Sequence, residues 1–339
     1  MTARIISRRA ALGLAGGLAA TAAIGRSRRV RADSLDKISL LNGWIAEAEQ
    51  GGFYQALATG IYKDHGLDAD IRNGGPQLDA NAQLLSGRVD TICSDSFTAI
   101  NYVAKELPFL CAAAMMQKDP RAILSHPGVG NDKLPDLKGK PILVATFGRN
   151  TFWPWLAAKY GFSEDQIRPY TFNMAPFLAD KQVSMQAFVS SEPLDAQKAG
   201  VDPVIHLLAD YGFANYQTTI NTSAKLVQDR PEVLQRFIDA SIKGWYSYLY
   251  GDPAPANALI KKINPDTTDE KIAFSIATMK KFGIVDSGDS KTLGIGAMTD
   301  ARWASFYKDM SEAGALPKGV DVKKAYTLQF VDKKVGMPA

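Results

Sequence analysis

The chain is poor in the residues that most often do chemistry. Among 339 residues there are two cysteines, Cys93 and Cys111, and three histidines, His65, His126 and His206. The histidines are scattered and none has the spacing of an HExxH metal site. No CxxC, P-loop, GxGxxG or GxSxG motif occurs, which argues against dithiol redox chemistry, nucleotide cradling, dinucleotide binding and α/β-hydrolase catalysis. No apolar run reaches the about 20 residues needed to span a bilayer. Nor is there a basic stripe of the kind that binds nucleic acid. Two cysteines allow one disulfide after oxidising export, but both lie in apolar, strand-like runs, where a buried free thiol fits equally well.

The first 32 residues read as an export signal. Ser7-Arg8-Arg9 is a partial twin-arginine start, with Ala11 and Leu12 where Phe-Leu is usual. The apolar run Ala10–Ile24 follows, and Val30-Arg31-Ala32 supplies small residues before a cut after Ala32. An uncleaved anchor is the alternative. The segment carries seven arginines and no acid, so its removal takes the formal charge from +4 to −3. About 300 mature residues suggest two domains.

The organising stretch is Leu40–Ile71. Ile38–Leu41 is a buried strand broken by Asn42-Gly43, with Trp44 next. Gly51-Gly52 opens a helix with Phe53, Leu57, Ile61 and Tyr62 at helical spacing. His65-Gly66 ends it, and Leu67–Ile71 alternates as a half-exposed strand. A strand–helix–strand unit puts its first loop, with Asn42, Trp44 and nearby Tyr54, at the carboxyl end of its first strand, where open parallel sheets take ligands. The pattern then repeats. A helix over Gln77–Leu85, with Leu78, Ala82 and Leu85 on one face, leads to a strand at Thr91–Cys93. Ser94-Asp95-Ser96 follows at a helix start, fit equally for N-capping and for ligand contact. Strands are expected at Pro108–Met116 and Arg121–Ser125, and after a turn at Ile142–Thr146.

The loop Phe147-Gly148-Arg149-Asn150-Thr151 is the counterpart of the Trp44 loop. Arg149 there is either an anion contact or an ordinary surface arginine, and Trp153 fits the core. Further strands are expected at Pro169–Asn173, Val183–Ser191 and Asp202–Leu208. Glu192-Pro193 ends the second of these, with Glu192 serving as a site acid or as a helix-start acid favoured by the macrodipole. Tyr211 belongs to an aromatic loop, Asp210–Gln217, before a crossing strand at Thr218–Asn221. The remainder is helical, with Trp245 and Trp303 as core residues.

GGFY, GIYKDHGLD, QLLSGRVD and QAFVSSEP together resemble the periplasmic solute-binding proteins for thiamine pyrimidine precursors, sulfonates and nitrate. The motifs lie in residues 40–100 and 183–193, and the pattern extends over about 36–330. The resemblance implies an α/β, two-lobed periplasmic binding protein of type II, with two crossovers between the lobes. Lobe 1 would be 33–125 and 222–339, and lobe 2 would be 126–221. It implies a monomer in the periplasm that delivers a small molecule to an ABC permease. No cofactor, metal or nucleic acid is expected. The ligand implied is a flat heterocycle of the aminopyrimidine class. Trp44 and Tyr54 would wall it, Asn42 and Ser94–Ser96 would hydrogen-bond it, and Glu192 would orient it. Phe147, Arg149, Asn150 and Tyr211 complete the candidate site.

A sulfonate or nitrate ligand is the alternative within the class. A sensory ligand module, or an exported relative of the thiamine-pathway pyrimidine synthase, are alternatives outside it. That enzyme uses a lysine, a histidine and a cysteine-rich segment. The comparable positions here hold Ser94 and Thr98, and Asp210–Gln217 contains no cysteine, so no enzyme is expected. N-terminal sequencing of exported protein should begin at Asp33; a membrane-bound form retaining Met1 would contradict cleavage.

Overall fold

The computed structural model describes residues 35–75 and 78–337. The expected export signal and the turn proline Pro76 lie outside them. Residues from Leu35 onward form one compact unit.

Among the described residues ten strands build two sheets. They are β1 (Asp36–Leu41), β2 (Leu67–Arg72), β3 (Thr91–Asp95), β4 (Phe109–Met116), β5 (Arg121–Ser125), β6 (Ile142–Val144), β7 (Ile167–Pro169), β8 (Ser184–Phe188), β9 (Val204–Leu207) and β10 (Gln217–Ser223). The orders are β2-β1-β3-β10-β4 and β7-β6-β8-β5-β9. In the first sheet β1 runs parallel to β2 and β3, and β10 lies antiparallel between β3 and β4. The second repeats the plan: β6 is parallel to β7 and β8, and β5 lies antiparallel between β8 and β9. In each sheet the reversed strand is the one that has just arrived from the other sheet. This is the expected α/β architecture with two crossings.

The crossings sit elsewhere than expected. Arg121–Ser125 belongs to the second sheet, so the chain leaves the first sheet at 117–120, not after 125. It returns through 208–216, and all of β10 belongs to the first sheet. Both strands are short, β5 reading RAILS and β10 QTTINTS, and periodicity does not say which sheet a strand joins. The expected strand Pro169–Asn173 is also displaced. β7 ends at Pro169, at the sheet's edge, where a residue without an N–H donor is tolerated. That frees Tyr170 and Phe172 as loop residues. The helix expected from 77 to 85 spans Ala80–Leu85, capped by the Asp79 carboxylate, which accepts from Ala82 N–H. Its buried residue is Leu84, while Leu78 and Leu85 face solvent.

The Gly51-Gly52 helix start has a packing reason. A Cβ on Gly51 would lie 2.0 Å from the Tyr248 ring and one on Gly52 2.2 Å from the Trp245 indole. The helix Gly51–Ala58 therefore presses backbone-first onto the long helix Pro231–Tyr250. Gly244 answers from the other side, where a Cβ would meet the Gly52 carbonyl oxygen at 2.3 Å. Trp153, Trp245 and Trp303 are all core residues, as expected. The two cysteines are free thiols, Cys93 on β3 and Cys111 on β4. Gly244→Ala overpacks a contact with rigid backbone and is expected to lower the unfolding free energy by about 1–3 kcal/mol, measured by urea unfolding; an unchanged midpoint would contradict this packing.

Candidate ligand cleft

In both sheets the carboxyl ends of the parallel strands point at the region between them. The first sheet contributes the turn after β1. Asn42 N–H donates to the Arg72 carbonyl (2.8 Å), and Gly74 N–H to the Trp44 carbonyl (2.8 Å). Gly74 lies so close that a Cβ would be 2.3 Å from the Asn42 carbonyl oxygen. Only a glycine permits that approach, and it pins the Asn42–Trp44 turn. Tyr54, one helix further on, reaches back so that Asn42 Nδ2 donates to its hydroxyl (3.1 Å). Asn42 is wholly buried, and its Oδ1 has no hydrogen-bond partner. A buried acceptor left unpaired is costly, and Asn42 Oδ1 is one of nine unpaired buried side-chain atoms among the described residues.

Cys93 lies beside this group, next to the Gly43 N–H and the Thr218 hydroxyl. Burial pushes the Cys93 thiol and the Tyr54 phenol both up to about 12, so each stays protonated near neutral pH. Thr218 has φ of 51° at a register slip between Gln217 and Thr219. A β-branched residue in this conformation is strained, and such strain gathers at functional sites.

Arg121, the first residue of β5, closes the floor. It pairs with Asp119 and lies 3.6 Å from the Asp95 carboxylate. Its guanidinium stands 4.8 Å from the Phe147 ring centroid and 5.7 Å from that of Phe188. Asp95 also caps the helix Ser96–Ala104, accepting from Thr98 N–H at 2.8 Å. Burial raises its pKa, against the pull of Arg121. The Ser96 hydroxyl donates to Asn215 Oδ1 (2.6 Å) and accepts from Tyr216 N–H (3.0 Å), while Asn215 Nδ2 donates to Asp119 (2.7 Å). Asp119 and Asn215 stand on the outgoing and returning crossings, so this network ties both together.

The mouth is aromatic and acidic. Trp44 packs on Phe172 at 5.1 Å, joining a loop of the first sheet to one of the second, and Tyr170 continues the row at 5.2 Å from Phe172. Phe147 and Phe172 keep 47% and 54% of their surface exposed. Glu192 begins the helix Glu192–Lys198 and accepts from Phe188 N–H at 2.8 Å. Burial, with the charge of Glu49 adding to it, lifts its pKa to about 7.

Asn42, Trp44, Tyr54, Asp95, Phe147 and Glu192 thus gather at the facing strand ends, and Ser94, half-exposed on β3, joins them. Ser96 and Asp95 are taken up largely by the crossings and the helix cap. Three candidates are not brought in. Arg149 is a surface residue paired with Glu164 at 2.5 Å, and Asn150 beside it is exposed. Tyr211 sits by edge strand β9, its carbonyl accepting from Lys159 and its hydroxyl 3.4 Å from His206 Nδ1. Residues missed in the sequence are Tyr170, Phe172, Arg121 and Phe188. Tyr170 and Phe172 fall within the strand expected at Pro169–Asn173, and Arg121 opens the strand Arg121–Ser125, where it reads as an ordinary strand residue. Two surface grooves, of about 700 and 630 Å³, lie at the opposite, amino-terminal edge of the first sheet, away from all these groups.

Two α/β sheets exchanging one reversed strand each, with polar and aromatic residues gathered between their carboxyl edges, define the periplasmic-binding-protein class. The chain belongs to the family described as NMT1/THI5 like, which matches residues 47–256. A curated relative, the riboflavin-binding protein RibY of Chloroflexus aurantiacus, is 23% identical over 306 residues, covering 88% of this chain and 87% of that protein. The fold is shared with the periplasmic aliphatic sulphonate binding protein SsuA of Escherichia coli, with TM-score 0.66 and 12% identity over 86% of this chain and 91% of that one. It is also shared with the desulfurization enzyme DSZB, with TM-score 0.57 and 13% identity over 87% of this chain and 97% of that one.

Arg121 is the charge on which two buried carboxylates depend. Breaking such a pair leaves uncompensated charge, so Arg121→Leu is expected to cost about 3–5 kcal/mol of unfolding free energy. Arg149→Leu, in an exposed pair, is expected to cost about 0–1 kcal/mol. Equal effects of the two variants in urea unfolding would contradict the assignment of Arg121 to the floor.

Proposed function

We propose that this chain is the exported substrate-binding protein of an ABC importer, and that its ligand is a flat, uncharged or weakly basic nitrogen heterocycle of the aminopyrimidine class. The observation that carries the reading is the charge balance of the cleft. Its cation, Arg121, is already matched by Asp95 and Asp119, and Glu192 adds a further carboxyl. An oxyanion entering there meets carboxylates and no free cation among the described residues. A heterocycle with N–H donors meets acceptors instead: the unpaired Oδ1 of Asn42 and the carboxyl of Glu192. The row Trp44, Phe172, Tyr170 offers ring faces for stacking. The riboflavin named for the curated relative is also a flat heterocycle with a pyrimidine edge, which supports the same class. The sulfonate-binding neighbours share the fold and favour the oxyanion reading as the alternative.

Binding rather than catalysis is supported by Cys93, whose thiol burial keeps protonated and therefore poorly nucleophilic. The two sheets act as the cores of two lobes, hinged at 117–120 and 208–216, which close on the ligand.

Calorimetry with 4-amino-5-hydroxymethyl-2-methylpyrimidine, riboflavin and ethanesulfonate tests this. A heterocycle is expected to bind, with compaction in small-angle scattering and a change in tryptophan emission. Trp44→Ala is expected to weaken it about three- to tenfold through lost stacking, and Asn42→Ala by about two- to tenfold through a lost hydrogen bond. Tight ethanesulfonate binding with neither heterocycle bound would replace this reading with the oxyanion one.

A further inference from the structure

A second group of acids joins the two sheets at one side of the cleft. From the first sheet comes the tight turn Ala48–Gln50, preceded by Glu47, with the helix Asp269–Phe282 against it. From the second come Ser190, Glu192 and Asp195, just beyond β8. The Ser190 hydroxyl donates to Glu49 Oε1 at 2.6 Å, and the Ser275 hydroxyl donates to the Ser190 carbonyl at 2.6 Å. Lys271 Nζ lies 3.7 Å from Glu47 Oε1 and 4.0 Å from Asp195 Oδ2. Lys198 and Glu270 pair at 2.6 Å on the exposed rim. Tyr170 faces Glu192, and Tyr248 faces Glu49 from the helix Pro231–Tyr250. One lysine therefore serves three glutamates and an aspartate, at a seam where Glu49 and Ser190 are buried.

We propose that Glu47, Glu49 and Glu192, with Lys271, form a proton-dependent clasp between the two lobes, which tightens on proton uptake and loosens as the solution turns alkaline. The proposal rests on the two-lobe closure proposed above but not on the ligand class. Its physical basis is that closure removes three carboxyls from water and brings them together. The charged form is penalised by lost hydration and by its neighbours, and one ammonium group does not balance it. Burial first, then the charge of Glu49, lifts Glu47 from its ordinary 4.5 to about 8. Glu192 rises to about 7, and burial raises Glu49 against the bond from Ser190.

The sign follows from linkage. On this proposal, parting the lobes returns part of this surface to water and lowers the three pKa values toward the ordinary 4.5. The clasped form binds more protons between about 4.5 and 8, so it is favoured as pH falls and penalised as pH climbs through 7 and 8.

The experiment is small-angle scattering of the ligand-free protein from pH 5.5 to 9. The radius of gyration is expected to rise between pH 5.5 and about 8 and to level off above that. Glu47→Gln/Glu192→Gln should stay compact across the range, and Lys271→Met should expand at lower pH than the parent. Carboxyl-carbon NMR of the parent, labelled at glutamate, reads the same groups without substitution, with at least two glutamates titrating above pH 6. A constant radius in the parent, expansion of the double variant like that of the parent, or glutamates all titrating near 4.5 would each overturn the clasp. If the radius responds to pH as expected while no heterocycle binds, the ligand reading fails and the clasp stands.

Discussion

The rest of the structure depends on the buried knot at the two crossings. Asp119 leaves the first sheet, Asn215 returns to it, and the two are hydrogen-bonded to each other. Arg121 sits between Asp119 and Asp95, so the outgoing crossing is held to the end of β3. Ser96, the next residue after β3, holds the returning crossing. Each polar group is paired within the knot, which is the condition for burying charge without losing stability.

From that knot outward the cleft has a graded character. Its floor is polar and largely satisfied, though Asn42 Oδ1 and, at the outgoing crossing, Gln117 Oε1 are unpaired. Its walls are aromatic, with Phe147 and Phe188 around Arg121 and Trp44 against Phe172 at the mouth. Its side seam is acidic, with Glu47, Glu49 and Glu192 facing Lys271. Stacking faces, an unpaired acceptor and several carboxyls are the features on which the proposed heterocycle reading rests. The acids at the seam need not touch a ligand to matter if, as proposed, they respond to bringing the two sheets together.

Much of the fold was legible because it rests on local patterns. The strand–helix–strand unit of residues 38–71, the Glu192 helix start and the core tryptophans all follow from periodicity and capping. Less of the site was. Asn42, Trp44, Tyr54 and Phe147 were placed near the strand ends because the carboxyl end of a parallel strand is a general location for ligands. Arg149 and Asn150 sit on the equivalent loop but turn outward, since a helical turn at Thr146–Asn150 puts Arg149 beside Glu164. Tyr211 was placed by its aromatic neighbours, yet its loop runs along the β9 edge. Arg121 was invisible as a site residue because its significance lies in partners 2 and 26 positions away.

The sequence by itself determined the class of this protein. Alternation of strand and helix patterns, glycine at close contacts and short family motifs are all properties of neighbouring residues, and they survive without a structure. The tertiary structure alone decided where the chain crosses between sheets, which way β5 and β10 run, and which charges are already matched. Those depend on residues far apart in sequence, such as Asp119 with Asn215 or Glu49 with Ser190. A carboxylate reads the same in a sequence whether it is solvated, capping a helix or buried beside another carboxylate. Only packing removes the water that makes these cases differ.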